Sequence, residues 1–129
     1  MKICGITAEY NPFHKGHAYQ IEKARQAGAT HILAVMSGNF VQRGVPAMLD
    51  KWVRVRAALS DGADLVVELP LPFATASAET FAYGALSLMQ ATGCVDMVSF
   101  GAEDEQAQLQ QVLSVLLSPE FEPVFRLRL

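Results

Sequence analysis

The chain has 129 residues, of which 51% are hydrophobic and 18% are charged, a composition typical of a globular domain rather than a disordered segment. Its formal net charge of -3 excludes a strongly basic nucleic-acid-binding domain, although it leaves room for a local basic patch. No apolar run approaches the roughly 20 residues that span a bilayer, and Met1-Lys2 lead into a strand-like segment without a signal-peptide pattern. We therefore expect a cytoplasmic protein that contacts no membrane.

Apolar strand-like runs and helical repeats alternate along the chain, each bounded by glycine, proline or a capping residue. The predicted strands are residues 3–8, 31–36, 65–69 and 95–100. The predicted helices run from His17 to Ala27, from the cap Asp50 to Gly62, from the cap Ser77 to Gly93, and onward from Asp104, with a last helical turn after Pro119. Connections of this length imply right-handed crossovers and a parallel sheet. The predicted fold class is therefore α/β, with helices on both faces of the sheet.

The helix after Asp50 carries two arginines and several apolar residues. Trp52, Val55 and Leu59 recur at helical spacing, so we expect them to form its buried face. We expect Arg54 and Arg56 to lie on a solvated face rather than in an RNA-binding patch.

The segment AEYNPFHKGH, residues 8–17, places two histidines where the first strand ends and the first helix begins. Ligands of open parallel sheets bind at this edge, and the unpaired amides of a helix N-terminus favour phosphate. Gly16 allows a ligand to approach the backbone, and Pro12 stiffens the turn. His14 and His17 can donate hydrogen bonds to phosphate oxygens. The pattern favours a phosphate site.

Two other interpretations of the histidine pair remain open. The pair could ligate zinc, but a zinc site needs a third and usually a fourth ligand. The further candidates are His31, Cys4 and Cys94, and we expect both cysteines to be reduced thiols in the core. We therefore expect no metal site. The pair could also be incidental, which the strand-turn-helix context makes a weaker interpretation.

Beyond this pattern, AEYNPFHKGH resembles the His-x-Gly-His signature of the nucleotidylyl-transferase superfamily. The blocks AVMSGNFVQRGVPA, DKW, ADLVVELP, SAETFAYGA and SFGAE are similar, in order, to those of the bacterial tRNA(Met) cytidine acetate ligase family, from Met1 to about Glu105. This resemblance implies a Rossmann-like sheet of the HUP type and an ATP-binding domain over residues 1–118. Residues 119–129 would form a C-terminal helical tail, beyond which family members continue.

The same resemblance implies an enzyme that activates acetate with ATP, giving acetyl-adenylate and pyrophosphate. The acetyl group then passes to N4 of the wobble cytidine of elongator tRNA(Met), and this chain would be the nucleotide-binding part. The implied ligands are ATP, with Mg²⁺ accompanying it, acetate and the tRNA. The implied catalytic residues are His14 and His17, which would steady the phosphates. The implied ATP-binding residues are Thr7, Ala8, Glu9, Tyr10, Asn11, Pro12, Phe13, His14, Lys15, Gly16, His17, Ala18, Tyr19, Gln20 and Gly101.

A second loop opens at the same edge of the predicted sheet, after the second strand. Ser37, Gly38 and Asn39 begin it, and we predict that they bind substrate together with Arg43. Arg43 could contact a phosphate of ATP or tRNA, or it could be a solvated loop arginine. Glu68, at the end of the third strand, is expected to cap loop backbone rather than to bind ribose.

Two rival functions remain open at this point. One is an adenylyl- or cytidylyltransferase that acts on a small metabolite, and the other is a non-catalytic module that binds nucleotide or RNA. The apolar spacing of Phe121, Phe125 and Leu129 further predicts a homodimer formed through the C-terminal tail, because exposure of such a stripe is unfavourable.

Overall fold

The structure, a computed structural model, describes residues 1–101 and Ser114. Its strands are β1 (Ile3–Ala8), β2 (His31–Ser37), β3 (Leu65–Leu69) and β4 (Met97–Ser99). Its helices are α1 (Lys15–Gln26), α2 (Lys51–Ser60), α3 (Leu71–Ala74) and α4 (Ala78–Thr92), with a 3-10 turn at Gln42–Gly44. The predicted helix after Asp104 and the tail of residues 119–129 lie outside the described residues.

The four strands form one parallel sheet in the order β3-β2-β1-β4. β1 pairs with β2 from Ile3↔His31 to Ala8↔Met36, so the two central strands end side by side. Because every pair is parallel, the segments that follow the strands all emerge at one carboxyl edge. This arrangement confirms the predicted α/β fold and its parallel sheet.

Helices cover both faces of the sheet, as the alternation of side chains along β2 shows. Ile32, Ala34 and Met36 enter one apolar cluster, and Leu33 and Val35 enter another. The first cluster contains Ile21 and Ala24 of α1 and Ala58 of α2. The second cluster contains Ala74 of α3 and Phe81, Ala85 and Met89 of α4. The predicted placement of helices on both faces is therefore confirmed.

The fourth strand is shorter than predicted. At its amino end, the side chain of Asp96 takes the place of a backbone carbonyl as hydrogen-bond acceptor for β1. Asp96 Oδ2 accepts a hydrogen bond from the Ile3 amide at 2.7 Å, while the Asp96 amide donates to the Ile3 carbonyl at 2.9 Å. The regular ladder then runs only from Cys4↔Met97 to Ile6↔Ser99. The prediction of a strand over residues 95–100 is wrong at both ends.

The buried face of α2 also differs from the prediction. Trp52 and Leu59 are exposed, so their predicted burial is wrong, whereas Val55 is partly buried against the core, as predicted. The fully buried residues of the helix are Arg54 and Ala58. Arg56 is exposed, as expected. The helix is oriented to take the Arg54 guanidinium inward, where main-chain carbonyls accept its hydrogen bonds.

The two cysteines are free thiols with different surroundings. Cys4 is buried in the sheet, as predicted, and burial raises the pKa of its thiol. Cys94 is exposed, so its predicted place in the core is wrong. It directly follows Gly93, which ends α4 in the left-handed conformation at φ 66° and turns the chain back toward β4.

We expect Gly84→Ala to destabilise the domain, although alanine ordinarily favours a helix over glycine by about 1 kcal/mol. Gly84 of α4 packs on α3, and a Cβ there would lie 2.6 Å from Cδ1 and 2.7 Å from Cβ of Phe73. Such overpacking costs about 1–3 kcal/mol. Denaturant unfolding beside Ser87→Ala, an exposed position on the same helix, measures the effect. A Gly84→Ala protein as stable as the parent would contradict this packing.

Candidate functional site

A cavity of about 840 Å³ opens where β1 and β4 end and α1 begins. Of the predicted ATP-binding residues, those that line it are Thr7, Ala8, Glu9, Tyr10, Asn11, Pro12, His14, Gly16, His17, Tyr19, Gln20 and Gly101. Phe13, Lys15 and Ala18 belong to the same segment but do not line the cavity. We call this space the histidine cavity.

Three lining residues were missed by sequence reasoning: Lys23, Ser99 and Phe100. Gly16, Gln20 and Lys23 are separated by four and then three residues, so helical periodicity could have placed Lys23 on the cavity face of α1. Ser99 and Phe100 immediately precede Gly101 at the carboxyl end of β4. Lys23 therefore places a cation at this site, whereas Lys15, one of the predicted ATP-binding residues, does not line the cavity.

His14 and His17 cap the first turn of α1 reciprocally. His14 Nδ1 accepts a hydrogen bond from the Gly16 amide at 3.1 Å, and His17 Nδ1 accepts one from the His14 amide at 3.2 Å. The two imidazole rings stack with their centroids 3.8 Å apart. A Cβ at position 16 would lie 2.9 Å from the His14 ring, so glycine is required there. The pair explains why α1 begins at Lys15, before the predicted His17.

This capping arrangement fixes the tautomer of both histidines. An Nδ1 atom that accepts a backbone N–H carries no proton, so in each neutral ring the proton lies on Nε2. Each side chain therefore keeps one N–H donor that its capping bond does not use. Two stacked imidazoles with unused donors beside a helix N-terminus suit an anionic ligand.

The backbone amides at the start of α1 are less available than the sequence suggested. The Gly16 amide donates to His14 Nδ1, the His17 amide donates to the His14 carbonyl at 2.9 Å, and the Ala18 amide donates to the same carbonyl at 3.3 Å. The first-turn amides that the sequence analysis expected to be unpaired are thus engaged within the cap. The imidazole N–H groups and Lys23 remain as donors, supported by the field of the helix dipole.

Tyr10 supports the His17 ring from the core. It is 1% exposed, and the centroids of the two rings lie 4.9 Å apart in an edge-on contact. Burial raises the pKa of Tyr10 to about 12, so the phenol stays neutral. Burial, and to a lesser extent the charge of His14, lowers the pKa of His17. His17 is therefore the neutral Nε2–H donor at neutral pH.

Gln20 ties α1 to the end of β4. Its side-chain amide donates to the Ser99 carbonyl at 3.1 Å and lies 3.4 Å from the Ser99 hydroxyl. This contact fixes one wall of the histidine cavity against the other, because β4 is otherwise paired to β1 over only three residues.

Arg54 of α2 holds the loops behind the cavity together. It is the largest of the fully buried side chains among the residues that the structure describes. Its Nε donates to the Leu49 carbonyl at 3.1 Å and its Nη1 to the Ser37 carbonyl at 3.2 Å. The same guanidinium also donates to the carbonyls of Glu9 and Gly38. One side chain thereby joins the ends of β1 and β2 to the segment before α2.

Three carboxylates offset the cost of burying the positive charge of Arg54. Burial lowers the pKa of Arg54, and the carboxylates of Asp50, Glu9 and Glu68 oppose that effect. A guanidinium remains protonated under these conditions. Four main-chain carbonyls supply its hydrogen-bond acceptors.

Direct contacts also join the loop after β1 to the loop after β2. Glu9 Oε1 accepts from the Gln42 amide at 2.9 Å, and Asn11 Oδ1 accepts from the Met48 amide at 2.7 Å. Glu9 and Asn11 thus line the cavity while their side chains bind the neighbouring loop. The two loops form one connected unit.

The predicted substrate-binding residues lie outside the histidine cavity. Ser37 is fully buried, and its hydroxyl has no hydrogen-bond partner among the described residues. Asn39 Oδ1 accepts from the Lys51 amide at 2.9 Å, which fixes the start of α2. Arg43 is exposed in the 3-10 turn with a left-handed φ of 65°. Gly38 lines a second, smaller cavity. Their role in substrate binding stays a prediction.

Over residues 1–101 and Ser114, no three histidine, cysteine, aspartate or glutamate residues converge as ligands for a metal ion. The Nδ1 atoms of His14 and His17 are already occupied by backbone amides. The geometry of the histidine pair therefore favours hydrogen bonding to an anion over zinc ligation.

Comparison with known proteins adds a family to this geometry. A sequence-family model described as HIGH Nucleotidyl Transferase matches residues 1–125. The chain is 53% identical over 118 residues to the tRNA(Met) cytidine acetate ligase of Syntrophomonas wolfei, covering 90% of this chain and 28% of that relative. It is 48% identical over 121 residues to that of Acetivibrio thermocellus, covering 93% of this chain and 29% of the relative. The chain thus spans less than a third of the length of these curated relatives.

The fold is also similar to solved structures. The crystal structure of Thermotoga maritima TmcAL bound with alpha-thio ATP superposes with a TM-score of 0.83 at 47% identity, covering 91% of this chain and 29% of that chain. The apo form of the same protein gives a TM-score of 0.81 at 48% identity, covering 90% and 28%.

We expect Arg54→Met to lower the free energy of unfolding by about 3 kcal/mol or more, because hydrogen bonds to a charged group contribute about 1.5–3 kcal/mol each and buried carbonyls would lose their donor. Arg56→Met on the same helix is the matched control. Arg56 is exposed, so its replacement is expected to change stability by less than about 0.5 kcal/mol. Denaturant unfolding of both variants checks this, and equal stability would contradict the structural role of Arg54.

We expect an NMR titration to show that the imidazole of His17 has a pKa below its ordinary 6.5 and carries its proton on Nε2 at neutral pH. Because the unfolded chain binds this proton more readily, the free energy of unfolding falls as the pH drops below 6.5. This loss of unfolding free energy at low pH should be smaller in His17→Ala than in the comparison variant His31→Ala. A protonated Nδ1 at neutral pH would refute the capping geometry.

Proposed function

Because this chain belongs to the HIGH nucleotidyl transferase family, we propose that its histidine cavity binds ATP as the nucleotide-binding part of a tRNA(Met) cytidine acetate ligase. The observation that carries the proposal is the reciprocal histidine cap, which leaves two Nε2–H donors at the cavity beside the start of α1. Relatives with about half of their aligned residues identical bear that enzyme name, and a structural relative was solved with an ATP analogue.

The first proposed step joins acetate to the nucleotide. A carboxylate oxygen of acetate attacks the α-phosphorus of ATP, an O–P bond forms, and the bond to pyrophosphate breaks. Acetyl-adenylate and pyrophosphate result, with no proton transferred. Such a step requires positioning and charge stabilisation rather than acid or base catalysis. The Nε2–H groups of His14 and His17 would stabilise the α-phosphate and the departing pyrophosphate.

In the second proposed step the amine N4 of the wobble cytidine attacks the acetyl carbon. A C–N bond forms, AMP leaves, and N4 loses a proton to solvent.

Acetate and elongator tRNA(Met) are therefore proposed ligands, and the cytoplasm is the proposed location. No helix among residues 1–101 is long and apolar enough to cross a membrane. Self-association through residues 119–129 stays a prediction.

Mg²⁺ is proposed to accompany ATP. The described residues bring together no cluster of carboxylates for it, and the Glu9 carboxylate is engaged with the Gln42 amide. The ion would therefore be held by phosphate oxygens and water, as Mg²⁺ often is at nucleotide sites.

We expect His17→Ala to reduce acetate-dependent ATP–pyrophosphate exchange by about a hundredfold, the effect of removing one donor to a developing charge. The loss of a helix cap should lower stability by only about 1 kcal/mol. His31→Ala is the matched control, because His31 is exposed at the amino end of β2. A variant that loses thermal stability but keeps its exchange rate would show that His17 is only structural.

The parent chain in the same assay separates the three functions. Exchange that depends on acetate supports the ligase. Exchange that requires a different co-substrate supports a nucleotidyltransferase, and ATP binding without any exchange supports a non-catalytic module.

A further inference from the structure

A second cavity, of about 230 Å³, lies between α2 and the carboxyl ends of β2 and β3. Met36, Val55 and Val66 form its apolar part. The other lining residues are Gly38, Lys51, Trp52 and Glu68. We call this space the tryptophan cavity.

A hydrogen-bond donor and an acceptor lie side by side in this cavity. Lys51 Nζ donates to Glu68 Oε2 at 2.6 Å, with the two side chains 27% and 52% exposed. Asn39 fixes the backbone of Lys51, and Gly38 leaves the space that the Glu68 carboxylate occupies, since a Cβ at position 38 would collide with it. An ion pair this exposed contributes little to stability. The arrangement is therefore held in place by its surroundings and open to a ligand.

Trp52 adds a flat apolar surface to the same cavity. The residue is 61% exposed, although it follows a well-formed cap at Asp50. Lys51 Nζ lies 5.4 Å from the centroid of its ring. The buried residues of α2 are Arg54 and Ala58, so the indole of Trp52 is not part of the face that packs on the sheet. A large exposed aromatic side chain beside a donor and an acceptor is the chemistry of a site that stacks and reads a base.

We propose that the tryptophan cavity binds the cytosine base of an unpaired RNA nucleotide, stacked on Trp52 and read by Lys51 and Glu68. Cytosine presents its N4 amino group as a donor next to N3 as an acceptor, which matches the Glu68 carboxylate next to the Lys51 ammonium. Uracil presents the reverse pattern, so its O4 would face the carboxylate. This inference rests on the proposed function, which supplies a cytidine as substrate.

Two other ligands fit the tryptophan cavity less well. Acetate would place its carboxylate against that of Glu68. Adenine presents the same donor and acceptor as cytosine, but the histidine cavity, at about 840 Å³, already has room for a whole nucleotide. The cavities are adjacent, because Ala8 lines one and its register partner Met36 lines the other. Neighbouring strands are about 4.8 Å apart, so a base in one lies close to a nucleotide in the other.

The test uses Trp52, the single tryptophan of the sequence, as its own reporter. The indole N–H resonance of the chain is followed by NMR during titration with cytidine, uridine or adenosine, which carry no phosphate for the histidine cavity. We expect cytidine to shift this resonance saturably at concentrations at least about tenfold lower than uridine or adenosine. No ATP or acetate is present, so a failure here is distinguishable from a failure of acetate-dependent exchange.

Removal of the acceptor provides the matched comparison. Glu68→Ala should bring the response to cytidine down to that of uridine, whereas Glu79→Ala, at an exposed position of α4, should leave the preference intact. Circular dichroism establishes that both variants are folded. Equal responses to cytidine and uridine in the parent, a response to adenosine as strong as that to cytidine, or no response to any nucleoside would each overturn the proposal.

Discussion

The buried guanidinium of Arg54 is the interaction on which the carboxyl edge of this sheet depends. It donates to main-chain carbonyls at the ends of β1 and β2 and before α2, where the regular ladders have ended and carbonyls would otherwise be buried without donors. Only a planar fork of five N–H groups can serve acceptors from three segments at once. The two cavities therefore share one support, since Glu9 belongs to the wall of the histidine cavity and Gly38 to that of the tryptophan cavity.

The hydrogen bonds of the histidine cap determine which donors the pair can offer a ligand. The Nδ1 atoms of His14 and His17 are used to build the first turn of α1, and that use leaves their Nε2–H groups as donors in a fixed direction. Burial lowers the pKa of His17 and keeps the ring neutral, so the site offers oriented hydrogen bonds rather than a second fixed charge. Donors that are placed before the ligand arrives need no reorganisation when charge develops on a phosphate. The same residues thus cap a helix and prepare the proposed ATP site.

Short-range sequence patterns predicted much of the carboxyl edge of the sheet, but they did not predict the buried side-chain contacts that support it. The bounds of β1 and β3, the caps Asp50 and Ser77 and the position of the histidine pair all follow from short-range patterns. The burial of Arg54 does not, because its acceptors come from segments as far away as Glu9, and helical periodicity only suggested that Trp52 faced the core. The strand predicted over residues 95–100 was too long for a similar reason. The Ile3 amide donates to the side chain of Asp96, where a regular strand would provide a backbone carbonyl. Side-chain contacts between distant segments were what the sequence left open.

The affinity for ATP of Arg54→Lys, compared with that of Arg56→Lys, shows directly whether the guanidinium of Arg54 holds the histidine cavity in shape. Lysine keeps the charge but not the fork, and Arg54 does not line the histidine cavity, so any effect must pass through the loops that it holds. Binding is measured by calorimetry at a temperature at which both variants are folded. We expect Arg54→Lys to weaken ATP binding at least about tenfold, because small displacements of positioned groups have effects of this size or larger. Arg56→Lys should leave the affinity unchanged. Equal affinities for the two variants would contradict this role of the guanidinium.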